Sequence, residues 1–296
     1  MPPAMPGNAP GNAPGGTVPA ARRALAVLRV LAAAPSPLTA ASLARTLGLP
    51  RSSVYHLLAA LTDDGFVAHY PEERRWGLGV SAFELGSAYQ RQDPLARQAG
   101  PVLAGLVRRL PSGLAAVAHA GVLHGRETLY VATATTSRRL TVVVETGVRL
   151  PATLTASGRA LLASLPAAQL RALFPDAAAF VDRTGRGPRT PTALREALVA
   201  ERRAGYAVER GFVTAGYASV AASTAAAARP LPSASSPALT SSPVPPSALG
   251  PVAGSIGLTV ADADLDPATE ALLADAVRRG ARELARRLGA GAAPRR

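Results

Sequence analysis

Residues 38–70, LTAASLARTLGLPRSSVYHLLAALTDDGFVAHY, hold two amphipathic segments separated by Gly48-Leu49-Pro50, and that punctuation restricts the local fold more than any other feature of the chain. Thr39 is placed to cap a short helix over 40–47, in which Leu43 and Leu47 recur at helical spacing. Gly48 ends it. Pro50 suits the first position of a second helix reaching about Thr62, because that position needs no amide hydrogen bond and already wants the proline backbone angle. Along this helix Val54, Leu57, Leu58 and Leu61 form a stripe to bury, which leaves Arg51, Ser52, Ser53, Tyr55, His56 and Ala59 on other faces. Its opening turn therefore carries one cation and several hydrogen-bonding groups. That is what a recognition helix offers to phosphates and base edges in a major groove.

Two short helices around a Gly turn also occur in plain helical cores. The flanks favour the DNA reader. Upstream, residues 21–34 have helical spacing, with Leu25, Leu28 and Leu31 inward as the scaffold of a three-helix unit. Downstream, Gly65 breaks the pattern, residues 66–70 are strand-like, residues 71–75 form a turn and Trp76-Gly77-Leu78 can pair back. A hairpin in that place is a wing. Arg45 and Arg51 are thus candidates for phosphate or guanine contacts, Ser52, Ser53, Tyr55 and His56 for reading or positioning bases, and Arg74 and Arg75 for a flanking groove or phosphates.

Charge adds little to this local pattern. The chain of 296 residues has a net charge of +13, and every basic side chain other than the four histidines is arginine, as GC-rich coding alone would give. Residues 1–80 hold seven Arg against four Asp plus Glu, a net of only +3. Length leaves room for two domains. No window approaches the apolar run of a membrane span, and residues 1–20 lack the charged start and apolar block of an export signal, so the expected location is the cytoplasm, with no membrane partner. Pro, Gly and Asn mark residues 1–20 as a disordered tail. Cysteine is absent, which removes disulfides and thiolate chemistry. His56, His69, His119 and His124 form no metal-binding spacing and read as surface or packing residues.

Residues 80–90 read as a short linking helix with Phe83, Leu85 and Tyr89, and Asp93-Pro94 caps another helix running to Leu110. Strand-like periodicity follows at 114–119, 127–134 and 140–146, with Gly121, Gly125 and Gly147 at or near turns. Residues 147–162, GVRLPATLTASGRALL, bring a loop of small residues into a helix near Thr155-Ala156-Ser157-Gly158, where free amides could meet an anion or simply be capped. Helices at 166–174 and 190–203, strands at 205–211, 216–223 and 251–260, and a last helix from Asp266-Pro267 to about Leu288 complete the chain. Between the last two strands, the Ala-, Pro- and Ser-rich residues 224–250 read as a disordered insertion at a hairpin tip.

This order of motifs resembles the IclR family of bacterial transcription regulators over about residues 21–288. RALAVLRVLAAAPSPLTAASLARTLGLPRSSVYHLLAALTDDGFV, then RRWGLG, is similar to that family's winged helix-turn-helix and linker; LPATLTASGRALLASLP resembles its pocket-forming turn and helix; GYAVERG, GYASVAAS and GSIGLTV resemble its later strands. The resemblance implies an α+β chain: a winged helix-turn-helix at 21–79, a linker helix at 80–93, and a GAF/PAS-like effector-binding domain with an antiparallel sheet at 94–288, followed by a tail at 289–296. It implies a homodimer or homotetramer on a double-stranded DNA operator, answering to a small organic effector, an acid or an aromatic compound. Carried over by position, the effector site is Ala156, Ser157 and Gly158 with Glu209, Ser219, Gly257 and Thr259. The chain departs from the family at Phe212, where an acidic residue is usual, at Ser219, where cysteine is common, and at Arg159, where lysine is usual. These changes point to a ligand less polar than a keto acid, or to a second domain that mediates oligomer or protein contacts without one.

An enzyme on the same scaffold finds no chemical support. Paired carboxylates in a glycine-flanked pocket, Gly-x-Ser-x-Gly, a Walker loop and metal clusters are all missing from the sequence, as are Cys and Lys nucleophiles. No cofactor, metal or catalytic residue is expected.

Overall fold

The computed structural model describes residues 18–138, 140, 144–224 and 253–291. Most of the tail expected at 1–20 and of the insertion expected at 224–250 lies outside the described residues. The chain divides into two compact units between Tyr89 and Gln90.

The first unit is three helices followed by a two-stranded wing: α1 (Pro19–Ala33), α2 (Ala40–Leu47), α3 (Arg51–Asp63), β1 (Val67–Tyr70), β2 (Arg75–Leu78) and the start of α4 (Val80–Gln92). Thr39 caps α2 as its sequence predicts, its side chain accepting from the Ser42 amide at 3.2 Å. Gly48 ends α2 at φ 63°, a left-handed conformation that glycine adopts at little cost. Pro50 is the residue before α3 rather than its first: its ψ of 143° is extended, and its carbonyl accepts the first helical bond, from Val54 N at 3.1 Å. Val54, Leu58 and Leu61 are buried with Val27, Leu31, Leu43, Val67 and Trp76.

The inward face of α1 is turned from the one expected. Ala24, Val27, Leu28 and Leu31 pack inward at i, i+3, i+4 and i+7, whereas Leu25 is 52% exposed. β1 and β2 pair antiparallel from Val67↔Leu78 to Tyr70↔Arg75. Leu38 and Trp76 exchange backbone bonds of 2.9 and 2.8 Å, which ties the segment before α2 to the wing. On α4, Val80, Phe83, Leu85 and Tyr89 are exposed and no side chain is buried.

The second unit is built on one antiparallel sheet in the order β5-β4-β3-β8-β7-β6. Its strands are β3 (Val117–His124), β4 (Glu127–Thr135), β5 (Arg149–Pro151), β6 (Ala207–Arg210), β7 (Tyr217–Ser223) and β8 (Gly254–Ala261). One face is covered by α5 (Pro94–Val107) and α9 (Pro267–Gly291), whose Leu95, Leu103, Leu273, Val277 and Leu284 meet Val220, Ile256 and Leu258. Against the other strand faces lies α6 (Ala156–Leu162), every residue of which is buried. Around it α7 (Ala167–Leu173) and α8 (Pro191–Ala204) close a second cluster through Leu162, Leu170, Phe174, Leu194 and Leu198.

Several sequence expectations shift here. Gly121 is no turn residue: it sits inside β3, where the pairing with β4 slips between Ala120 and Gly121. Of the strand expected at 140–146, residues 141–143 lie outside the described residues, and the flanking Leu140 and Val144–Thr146, positions 144–146, are not strand. The short edge strand β5 falls instead in the stretch expected as loop, paired to β4 through Leu129↔Arg149. The last helix continues through residues 289–291, into the expected tail. Among the described residues no helix is long and apolar enough to cross a membrane.

Candidate functional site

Two surfaces carry the polar chemistry, one in each unit. On α3 the buried stripe fixes which residues face out. Arg51, Ser52, Tyr55 and His56 are exposed, and Ser53 is half-buried beside them. Arg45, in the last turn of α2, is exposed, as is Arg74 at the wing turn, where it adopts φ 52°. Arg75 differs. Its Nη1 donates to the Pro37 carbonyl at 2.8 Å and its Nε lies 3.7 Å from Glu73, so this guanidinium braces the wing against the α1–α2 connection.

Trp76 organises the outward face behind these groups. Its indole is 8% exposed, stacks on His69 at 4.3 Å and takes the edge of Tyr55 at 5.7 Å and 76°. Tyr55 is thereby held on its inner side while half of it faces water. Sequence spacing within α3 holds no trace of this prop, because Trp76 arrives from the wing.

In the second unit, a cleft of about 360 Å³, its open mouth included, lies between the sheet and the loop before β7. Glu209, Ser219 and Thr259 line it together with Tyr130, Thr155, Thr214 and Tyr217; Val144, Leu150 and Val213 supply its apolar wall. Ala156, Ser157 and Gly158 are buried at the start of α6 and, like Gly257, are not among the residues that line the cleft. A Cβ built on Gly158 would stand 2.3 Å from the Ala152 carbonyl oxygen, so only glycine lets α6 seat this closely. Gly257 also makes room: a Cβ there would meet the His119 ring at 2.2 Å.

The start of α6 is closed by its own cap. Thr155 Oγ1 accepts the Gly158 amide at 2.9 Å and shares a 3.1 Å bond with Thr128 Oγ1. Arg159, just inside this helix, is 2% exposed and committed elsewhere: Nε donates to Glu201 at 2.6 Å, Nη1 to the Thr153 carbonyl at 3.2 Å, and Nη2 to the Val208 carbonyl, with Phe212 beneath the guanidinium. Burial raises the Glu201 carboxyl, an effect that Arg159 opposes.

A polar chain crosses the sheet under the cleft. Ser157 Oγ lies 3.3 Å from His119 Nδ1, His119 Nε2 lies 3.1 Å from Thr259 Oγ1, and Thr259 Oγ1 lies 2.9 Å from Ser219 Oγ. Ser219 in turn bonds Glu209. Glu209 is 4% exposed, and its Oε1 accepts the amides of Phe212 at 2.5 Å and Val213 at 3.3 Å. Burial raises this carboxyl, while those amides, Ser219 and Arg159 pull it back. Burial also drives the His119 imidazole down to about 3, so it is neutral. It raises the Tyr130 phenol as well, helped by the Glu209 charge. The family resemblance pointed to Glu209, Ser219 and Thr259, whereas the sequence reading took His119 for a surface or packing residue and passed over Tyr130. Every residue from Val117 to Gly121 is buried, so no alternation singles out a pocket-facing histidine. Among the described residues no group of three His, Cys, Asp or Glu is placed to hold a metal.

Comparison with known proteins bears on both surfaces. The sequence model described as "Bacterial transcriptional regulator IclR C-terminal" matches residues 87–241, and that of the "IclR helix-turn-helix domain" matches residues 20–71. The HTH-type transcriptional regulator BhcR of Paracoccus denitrificans is 31% identical over 209 residues, 70% of this chain and 72% of BhcR. An IclR transcriptional regulator from Alicyclobacillus acidocaldarius has a similar fold, with a TM-score of 0.73 at 20% identity over 93% of this chain and 100% of its own. So does an IclR homologue from Microbacterium hydrocarbonoxydans complexed with 4-hydroxybenzoate, at a TM-score of 0.70 and 18% identity over 92% of this chain and 99% of its own.

Proposed function

We propose that this chain, which belongs to the IclR family of bacterial transcriptional regulators, works as an effector-gated switch, a repressor or activator that acts in the cytoplasm as a homodimer or homotetramer. Its output is operator binding by α3. Arg51 contacts phosphate or a guanine edge, Ser52, Ser53, Tyr55 and His56 read or position bases, and Arg45 and Arg74 hold flanking phosphates. Arg75 serves chiefly by shaping the wing, since it is engaged by Pro37 and Glu73.

The observation that carries this reading is the division of α3 into two faces. Val54, Leu58 and Leu61 are sealed in the core while Arg51, Ser52, Tyr55 and His56 are presented outward. The input is a small organic molecule in the cleft lined by Glu209, Ser219 and Thr259. A homologue of the same fold holds 4-hydroxybenzoate, a single substituted ring, which is the class of molecule proposed for this cleft.

Binding of the purified protein to DNA from upstream of its own coding sequence, measured against salt, tests the output. Arg45, Arg51 and Arg74 from each of two protomers give a slope of log K on log salt of about −5, at about −0.9 per phosphate neutralised. Undetectable or salt-independent binding contradicts it.

A further inference from the structure

Glu209 fixes the direction of every proton in the polar chain beneath the cleft. A carboxylate only accepts, and its Oε1 already takes two backbone amides, so Ser219 must donate its single hydroxyl proton to Glu209. Ser219 Oγ then accepts from Thr259 across 2.9 Å, Thr259 accepts from His119 Nε2 across 3.1 Å, and Nδ1 of the neutral ring accepts from Ser157 across 3.3 Å. Each donor is consumed in passing toward the carboxylate. What Ser219 and Thr259 have left for a bound molecule is lone pairs.

The positive groups that could reverse this are occupied. Arg159 is bound by Glu201 and two carbonyls, and Thr155 closes the α6 start. Among the described residues the cleft lining contains one carboxylate and no cation. A negatively charged ligand would be desolvated beside Glu209 and would face acceptors on Ser219 and Thr259.

Resting on the reading of this cleft as the effector site, we infer that the effector is a small ring compound without negative charge that donates hydrogen bonds, through a hydroxyl or an amine, to Glu209, Ser219 and Thr259. Tyr130, Leu150 and Val213 take its apolar part.

Thermal-shift and calorimetric titration of the full chain with benzyl alcohol, benzylamine and benzoate, and the same three head groups on a 4-hydroxybenzyl frame, test the inference. Two variants accompany the wild type. In Glu209→Gln the amide oxygen still accepts from Phe212 and Val213, so the loop is kept, while its NH2 turns the end of the chain into a donor. In Thr214→Trp an exposed loop residue at the cleft is enlarged to block it. The expected result is an alcohol or amine bound at least about tenfold more tightly than its matching carboxylate, lost in Thr214→Trp, with the preference falling below about threefold in Glu209→Gln. A carboxylate bound as tightly as its alcohol, and lost in Thr214→Trp, overturns the inference and leaves the cleft as the effector site. A panel in which no compound gives a shift sensitive to Thr214→Trp overturns the cleft reading, and the inference with it.

Discussion

The ring edge of Tyr55, on the outward face of α3, rests on Trp76 of the wing, their centroids 5.7 Å apart at 76°. One contact thus links α3 to the hairpin that flanks it. The α3 surface is a property of both elements, since the indole also stacks on His69 and the Trp76 backbone is bonded to Leu38.

Trp76→Ala removes that prop and opens a void in the small core of the first unit. The expected loss is about 3 kcal/mol, in the range for truncating a large buried aromatic side chain. Urea unfolding followed by circular dichroism measures it. Trp76 is the chain's one tryptophan, so in the wild type its fluorescence reports the first unit alone.

Gly158→Ala opposes helix propensity, which favours alanine by about 1 kcal/mol. The new Cβ would sit 2.3 Å from the Ala152 carbonyl oxygen and 2.6 Å from Thr128 Oγ1. Packing wins, and a net destabilisation of about 2 kcal/mol is expected from denaturant midpoints.

His119 makes stability depend on pH. Its folded pKa of about 3 lies below the unfolded value of 6.5, so the unfolded chain binds more protons between them. The contribution is fully present above pH 6.5 and is lost as pH falls toward 3, by up to about 1.4 kcal/mol per pH unit. The raised carboxyls of Glu201 and Glu209 act in the opposite sense, since their folded forms hold protons more tightly. Comparing wild type with His119→Gln isolates the histidine: the difference in stability between the two should change by more than about 2 kcal/mol from pH 7 to pH 4.5.

Arg159 and Glu201 form a pair that is costly to break from one side. Arg159 is 2% exposed, and Oε2 of Glu201 is already buried without a partner. Arg159→Met strands the carboxylate and should cost about 3 kcal/mol, whereas Arg159→Met with Glu201→Met should recover most of that. Thermal unfolding of the three proteins checks the cycle.

Much of the first unit was legible because its rules are local. The Thr39 cap, the Gly48 stop and the Val54-Leu58-Leu61 stripe depend on residues within a turn of each other. Leu25 and Leu38 were not, since the facing of α1 and the bridge to Trp76 are settled by elements far away in sequence. In the second unit the helices and most strands follow their periodicity, but β5 is only three residues long and Gly121 marks a slip in pairing rather than a turn. For the cleft, motif position pointed to Glu209, Ser219 and Thr259. His119 became visible only when β3 placed it between Ser157 and Thr259.

The central claim is that the outward face of α3 reads DNA, and Arg51→Ala tests it most directly. Fluorescence anisotropy with labelled DNA from upstream of the coding sequence should show affinity reduced about tenfold or more, at about 1–3 kcal/mol for a lost arginine contact, with the melting temperature unchanged because Arg51 is exposed. Unchanged affinity in a normally folded Arg51→Ala protein would contradict the account.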